Sequence, residues 1–129
     1  MAVTCTNNSI VAFNTEVVIA DDAATADAAN LAEVFTITPT RPGNKMYIDI
    51  AELTGGGAVA FSVAAGVGHF GIGAAYTGSV ATSTREGFML NTANFLSAAG
   101  TILLTLTPAS GLKLLTNHGA AVTVIEFPF

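Results

Sequence analysis

Charge is what this chain lacks most. Only 10% of its 129 residues are Asp, Glu, Lys or Arg, against about 25% in ordinary soluble domains. The balance is 4 basic against 9 acidic residues, a formal net charge of −5. The basic residues Arg41, Lys45, Arg85 and Lys113 are scattered, which argues against a nucleic-acid groove, where clustered cations neutralise phosphates. Tryptophan is absent and only Tyr47 and Tyr76 represent tyrosine, which leaves little for the aromatic platforms of a carbohydrate-binding sheet. The lone Cys5 closes no internal disulfide and sets no metal site. Hydrophobic residues make up 51% of the chain, yet no run reaches the roughly 18 to 20 apolar residues of a membrane span. The opening Met-Ala-Val-Thr-Cys-Thr-Asn-Asn-Ser has no basic region followed by an apolar one, as a secretory signal would.

A freely diffusing monomer keeps charge on its surface to stay apart from its copies. A chain this poor in charge and rich in Ala, Thr, Gly and Val is expected to turn much of its surface towards other protein.

What is present is strand. In residues 33–38 Phe35 and Ile37 share one face and Thr36 and Thr38 the other, before the turn formers of 39–44. Residues 45–53 place Met46, Ile48 and Ile50 inward, and the turn Thr54-Gly55-Gly56-Gly57 leads to 58–64, where Val59, Phe61 and Val63 share a face. That pair reads as a hairpin. Residues 101–107, with Ile102, Leu104 and Leu106 on one side, are followed by a turn, a strand at 112–116, a second turn at Asn117-His118-Gly119 and a closing strand at 120–127. Residues 10–20 and 88–90 complete a set of about eight strands. Residues 23–31, rich in Ala but without a stripe at helical spacing, read as a loop, and 94–99 as a single turn. The outward positions are Ala, Thr and Ser rather than Lys and Glu, so edge strands lack their usual protection by charge.

The run Gly66-Val67-Gly68-His69-Phe70-Gly71 matches G-x-G-x-x-G in form and follows a strand. A dinucleotide site needs a helix starting at the motif to hold the pyrophosphate. Here Ile-Gly-Ala-Ala-Tyr-Thr-Gly-Ser-Val follows, a poor helix former, and Glu86 does not end a second hydrophobic strand as the ribose-binding acid would. The glycines read instead as a tightly turning loop between sheets. His69 and His118 form no ligand or catalytic spacing with Cys5, Asp49, Glu52 or Glu126. Asp21, Asp22 and Asp27 lack the order of a calcium loop, and G-x-S-x-G does not occur. No enzyme and no cofactor is expected.

The order of pieces from "KMYIDIAELTGGGAVAFSVAAG" through "GHFGIG" and "GSVATSTREGFML" to "AAGTILLTLTPASGLKLLTNHGAAVTVIEFPF" resembles the small jelly-roll decoration, or cement, proteins of tailed bacteriophage capsids. The matching pieces are Ala65-Gly66, Gly68, Gly71, Phe88, Gly100-Thr101 and Val124-Ile125-Glu126-Phe127-Pro128, within residues 33–129. The resemblance implies an all-β antiparallel sandwich of jelly-roll topology, residues 10–129, with residues 1–9 as an arm reaching over neighbours. It implies a virion protein, made in the host cytoplasm, that assembles as a homotrimer on the outer surface of the major capsid protein and stabilises that lattice. No nucleic acid or membrane is expected as a partner. Candidate interface residues are Arg41, Lys45, Arg85 and Glu86 for polar contacts, His69 and Phe70 at the loop, and Phe127 and Phe129 in an apolar tail. The alternative is a secreted cell-surface or filament subunit, against which the Met1 start and missing signal count. A sugar-binding jelly roll would depend on Tyr76.

Overall fold

The computed structural model describes residues 2–12, 14, 16–68 and 70–127. Ten strands run along the described chain: β1 (Ala2–Thr4), β2 (Asn7–Ser9), β3 (Asp21–Ala23), β4 (Glu33–Ile37), β5 (Lys45–Ala51), β6 (Val59–Val63), β7 (Tyr76–Val80), β8 (Arg85–Asn91), β9 (Ile102–Thr107) and β10 (Ala121–Phe127). They form two sheets. One has the order β1-β4-β9-β6-β7, the other β2-β10-β5-β8, with β3 also on β10. The fold is all-β, as its alternating sequence demands; among the described residues the helical turns are a short 3-10 turn at Thr92–Asn94 and a π-helical turn at Leu114–His118.

Alternation sets which face of each strand is buried. Phe35 and Ile37, Met46, Ile48 and Ile50, Val59 and Val63, Ile102, Leu104 and Leu106, and Val122 and Val124 are all fully buried and belong to one apolar cluster fed by both sheets. Each large side chain so buried contributes about 1.5–3 kcal/mol of transfer free energy. The intervening residues, mostly Thr, Ser and Ala, lie on the opposite face, where Asp49 and Thr123 are nonetheless buried.

Six expected strands are present as β4, β5, β6, β8, β9 and β10. The sheets are mixed rather than purely antiparallel, because β1 runs parallel to β4 and β2 parallel to β10. The segment expected as an arm is therefore woven into the chain's own sheets, where Val3 packs against the core and Cys5 is buried. Residues 10–20 form no strand among those described. Asn14 has φ 56°, and Val18 is 90% exposed. The side chain of Asn8 closes this excursion by donating to the Ala20 carbonyl and accepting the Ala20 N–H, both at 3.0 Å. β3 then takes up the edge of β10 where β2 leaves off.

The expected hairpin of 45–53 with 58–64 is a crossover instead: β5 lies in one sheet and β6 in the other. Both bury one face towards the shared core, and period-2 alternation is the same whether such strands are neighbours or opposite each other. Residues 112–116 are not a strand either. Leu114 is fully buried at the start of the π-helical turn, and Gly119 ends it at φ 56°.

Candidate functional site

Both sheets end on the same side of the molecule, in β7 and β8, and a cleft of about 220 Å³ lies between these edge strands. Phe61, Tyr76, Gly78, Ser79, Glu86, Gly87 and Phe88 line it. Phe61 and Phe88 stack across the two sheets, with centroids 5.1 Å apart and planes at 12°. Tyr76 stands nearly perpendicular to both, 5.8 Å from Phe61 and 5.1 Å from Phe88. Such edge-to-face arrangements satisfy the ring quadrupoles. Gly78 makes the arrangement possible: a Cβ there would meet the Phe61 ring at 2.6 Å.

Glu86 lies on the core-facing side of β8, in register with Ile50. At the rim of the sandwich that side opens into the cleft, so the carboxylate sits at its mouth. The backbone N–H of Ala81 donates to Glu86 Oε2 at 2.9 Å and fixes the group. Among the described residues no cation pairs with it.

Arg85, one residue earlier, points to the opposite face. It donates to Asp49 at 2.8 Å, to Asp21 at 3.3 Å and to Thr123 at 3.3 Å, and so ties β8, β5, β3 and β10 together. Tyr47 donates to the same Asp49 carboxylate at 3.1 Å. Partial burial acts against the charged guanidinium, but Asp49 and Asp21 outweigh it and raise its pKa further. The Asp21 carboxyl is held below its ordinary value by the Thr123 hydroxyl, assisted by Arg85. Arg85 is thus already engaged within its own chain, although its side chain remains 44% exposed.

Of the other candidate interface residues, Arg41, Lys45, Phe70 and Phe127 are described, and they lie towards one end of the sandwich. There the connections 38–44, 64–75 and 92–101 meet through Thr92 N–H to the Asn44 carbonyl, Val67 N–H to Leu96 and Ile72 N–H to Asn94. Arg41 and Lys45 are exposed at this end, and Phe127 is half-buried there, opposite Lys45 in the ladder rather than in a free tail. Phe70 is 72% exposed on the 64–75 loop. His69 and Phe129 lie outside the described residues.

The glycines of the 64–75 loop answer to packing. The loop connects β6 and β7 of the same sheet, not one sheet to the other, and no helix follows it. A Cβ on Gly66 would collide with the Asn94 carbonyl. The Gly66 N–H in turn donates to Ile72 at 3.0 Å. The loop is a closed turn pressed onto 94–96.

Three fully buried glutamates organise the remaining loops, and the partners of Glu126 lie 82 to 119 residues away in sequence, too far for any spacing rule to reveal. Glu33 accepts from the Thr25 N–H at 2.7 Å and hydroxyl at 2.5 Å. Glu126 accepts from Asn7 at 2.7 Å, the Thr40 N–H and hydroxyl, and Asn44 at 2.9 Å. Glu52 accepts the N–H groups of Gly55, Gly56 and Ser83 at 2.8, 2.9 and 3.0 Å. Burial opposes charge on Glu52, but His118 and these amides offset it and leave the carboxyl below its ordinary value. Glu126 is likewise lowered, its hydrogen bonds from Thr40, Asn44 and Asn7 overcoming desolvation.

Glu52 and His118, expected to have no relation, are therefore partners, 3.0 Å apart with neither side chain exposed. His118 Nε2 accepts the Ala109 N–H at 3.1 Å, so its proton sits on Nδ1 and donates to Glu52. With both nitrogens engaged and no solvent access, the pair holds loops and has no free base to offer a substrate. The acids read against a calcium loop are dispersed: Asp21 goes to Arg85 and Thr123, Asp22 to Thr6, Asp27 to Thr116. Among the described residues no three His, Cys, Asp or Glu side chains gather to hold a metal ion.

No family model, curated protein or solved structure matches the chain.

Proposed function

We propose that this chain is a structural binding module, a capsid decoration protein that settles on the outer surface of a major capsid protein lattice and stabilises it, with the homotrimer as its assembled form. The observation that carries this reading is the open edge of the sandwich. β7, Tyr-Thr-Gly-Ser-Val, has no charged residue, is almost wholly exposed and leaves one side of its backbone unpaired. Natural sheets protect such edges with charge, proline or a covering element. An edge kept bare beside an aromatic cleft suits a surface that another protein covers.

The exposed apolar residues Phe70 and Ile72 on the 64–75 loop, and Met89 on β8, extend the contactable surface beyond the cleft. Successive strands β4, β5 and β6 alternate between the sheets, as do β8, β9 and β10. That exchange is the basis on which we assign a jelly-roll relation, elaborated by the strands β1 to β3. A cement protein needs area and shape rather than chemistry, and many modest contacts repeated by symmetry sum to a strong hold.

The test is to add purified protein to expanded empty capsids and follow binding by sedimentation. Saturable, stoichiometric addition that raises the capsid melting temperature is the expected result. Absence of saturable binding overturns the reading.

A further inference from the structure

We infer that the cleft between β7 and β8 is a receptor for one cationic side chain, a lysine or arginine, presented by the partner protein. The inference deepens the binding-module reading and rests on it only for the source of the cation.

Size comes first. At about 220 Å³ the cleft falls below the roughly 300–1,000 Å³ of sites for drug-sized ligands and cofactors. It has room for a side chain. Its lining then selects the kind of side chain. Three rings, Phe61, Tyr76 and Phe88, supply apolar walls, and the Glu86 carboxylate stands at the mouth.

A purely apolar occupant would fill the same volume, but it would strip water from Glu86 and give it no partner, which is costly. An anion would meet the carboxylate and a chain of net charge −5. A bare metal ion would find one carboxylate where it needs several oxygens. A sugar would meet rings stacked on one another or standing at 71° and 83°, not a flat exposed platform. A lysine or arginine answers every part of the lining. Its methylene stem lies against the rings, and its N–H groups donate to Glu86 in a charge-assisted bond.

Glu86 is prepared for this role. Its Oε2 accepts the Ala81 N–H, which holds the carboxylate in place before any partner arrives, so little side-chain freedom is lost on binding. The nearest cation in sequence, Arg85, is turned to the other face by Asp49 and Asp21 and leaves the cleft empty of competing charge.

The test uses the intact chain labelled with 15N and three probes: Nα-acetyl-lysine methylamide, its neutral isostere Nα-acetyl-norleucine methylamide, and methyl β-D-glucoside. The lysine probe is expected to shift the amide resonances of Gly78, Ser79, Glu86 and Gly87, and to bind about tenfold more tightly than norleucine. Glu86→Gln, whose side-chain oxygen still accepts the Ala81 N–H, is expected to remove that preference, and Tyr76→Ala to abolish the shifts. Equal binding of norleucine, tighter binding of the glucoside, or an unchanged preference in Glu86→Gln overturns the inference.

The same two variants separate this inference from the functional reading. If capsids bind the wild-type chain and both variants equally well, the cleft is not the contact and the inference fails while the decoration reading stands. If the lysine probe binds as expected but capsids do not, the cleft stands and the decoration reading fails. If Glu86→Gln alters the oligomer in sedimentation and not capsid binding, the cation belongs to a second copy, and assignment to a partner protein is overturned.

Discussion

The two long edges of this sandwich are built to opposite ends. On one, the N-terminal segment crosses from β1 in the first sheet to β2 in the second, and β2 and β3 then share the flank of β10. Cys5 N–H donates to the Thr36 carbonyl at 2.9 Å as the chain crosses, and Asn8 donates to the Val124 carbonyl at 2.8 Å. On the other edge β7 and β8 simply stop, with three rings and a carboxylate between them. At the first edge the crossing backbone and the Asn8 side chain tie the end strands to the chain itself; at the second a cleft stands open between the end strands. The difference predicts that substitutions at the sealed edge change stability and leave binding intact, whereas those at the open edge do the reverse.

The strongest way to break that contrast is Glu126→Ala. It removes the acceptor shared by Asn7, Thr40 and Asn44 in a buried site, and the expected loss is about 3 kcal/mol by denaturant unfolding. Capsid binding below the melting temperature should be unaffected. Acid attacks the same group together with Glu52. Both carboxyls lie below their ordinary value of 4.5 in the folded chain. Their stabilisation is therefore complete above that value and is lost as the pH falls from it through their lower, folded values. Each contributes a slope of up to about 1.4 kcal/mol per pH unit across that window. Thermal melts between pH 6 and 2 should show this fall, and Glu52→Gln or Glu126→Gln should flatten it. A melting temperature independent of pH over that range would remove the role given to these groups.

Asn8→Ala should cost about 1–2 kcal/mol, since it leaves the Ala20 amide and the Val124 carbonyl without their partner. Tyr76→Ala, at a position 40% exposed, is expected to cost no more than about 1 kcal/mol; its main effect should be on binding. The smallest effect concerns Cys5, whose thiol is pushed up to about 12 by burial, with a contribution from Asp22. Its reaction with a thiol reagent at pH 8 should be slow in the native chain and should accelerate in Asn8→Ala. It should not accelerate in Tyr76→Ala, because the open edge is not its cover.

The same contrast explains what was legible in the sequence. Strands that bury one face, such as Phe35/Ile37 or Ile102/Leu104/Leu106, carry a period-2 signal that sequence alone exposes. β7 is exposed at Tyr76, Thr77, Gly78 and Ser79, so it has no alternation to read, and the open edge went unseen with it. β1, β2 and β3 are three residues each, too short for a pattern. Residues 16–19, Glu-Val-Val-Ile, have strong strand composition but lie in the excursion that Asn8 closes, because β2 and β3 already occupy the flank of β10. Alternation could not say which sheet β5 and β6 belong to. Nor could spacing join Glu52 to His118, 66 residues on. Of the interface candidates, Glu86 lines the cleft; Phe61 and Phe88 read from sequence as strand residues, Phe88 also as a piece of the resemblance, and Gly78 only as a residue that disfavours a helix. A carboxylate at an inward position of a strand, two residues before an aromatic one, was the signal available.

The bond from Asn7 to Glu126 spans 119 residues, and it has a consequence for how the molecule is made. During synthesis β1 meets its partner β4 about thirty residues later, whereas β2 must wait for β10, more than a hundred residues on, in the second sheet. Until residue 126 emerges, β2 has no ladder to join, and the flank it will occupy does not exist. Folding that depends on such distant pairing is slow compared with local hairpin closure. The β2 side of the sealed edge then forms only after β10 is made, whereas β6, β7 and the cleft-lining rings can take up their places earlier.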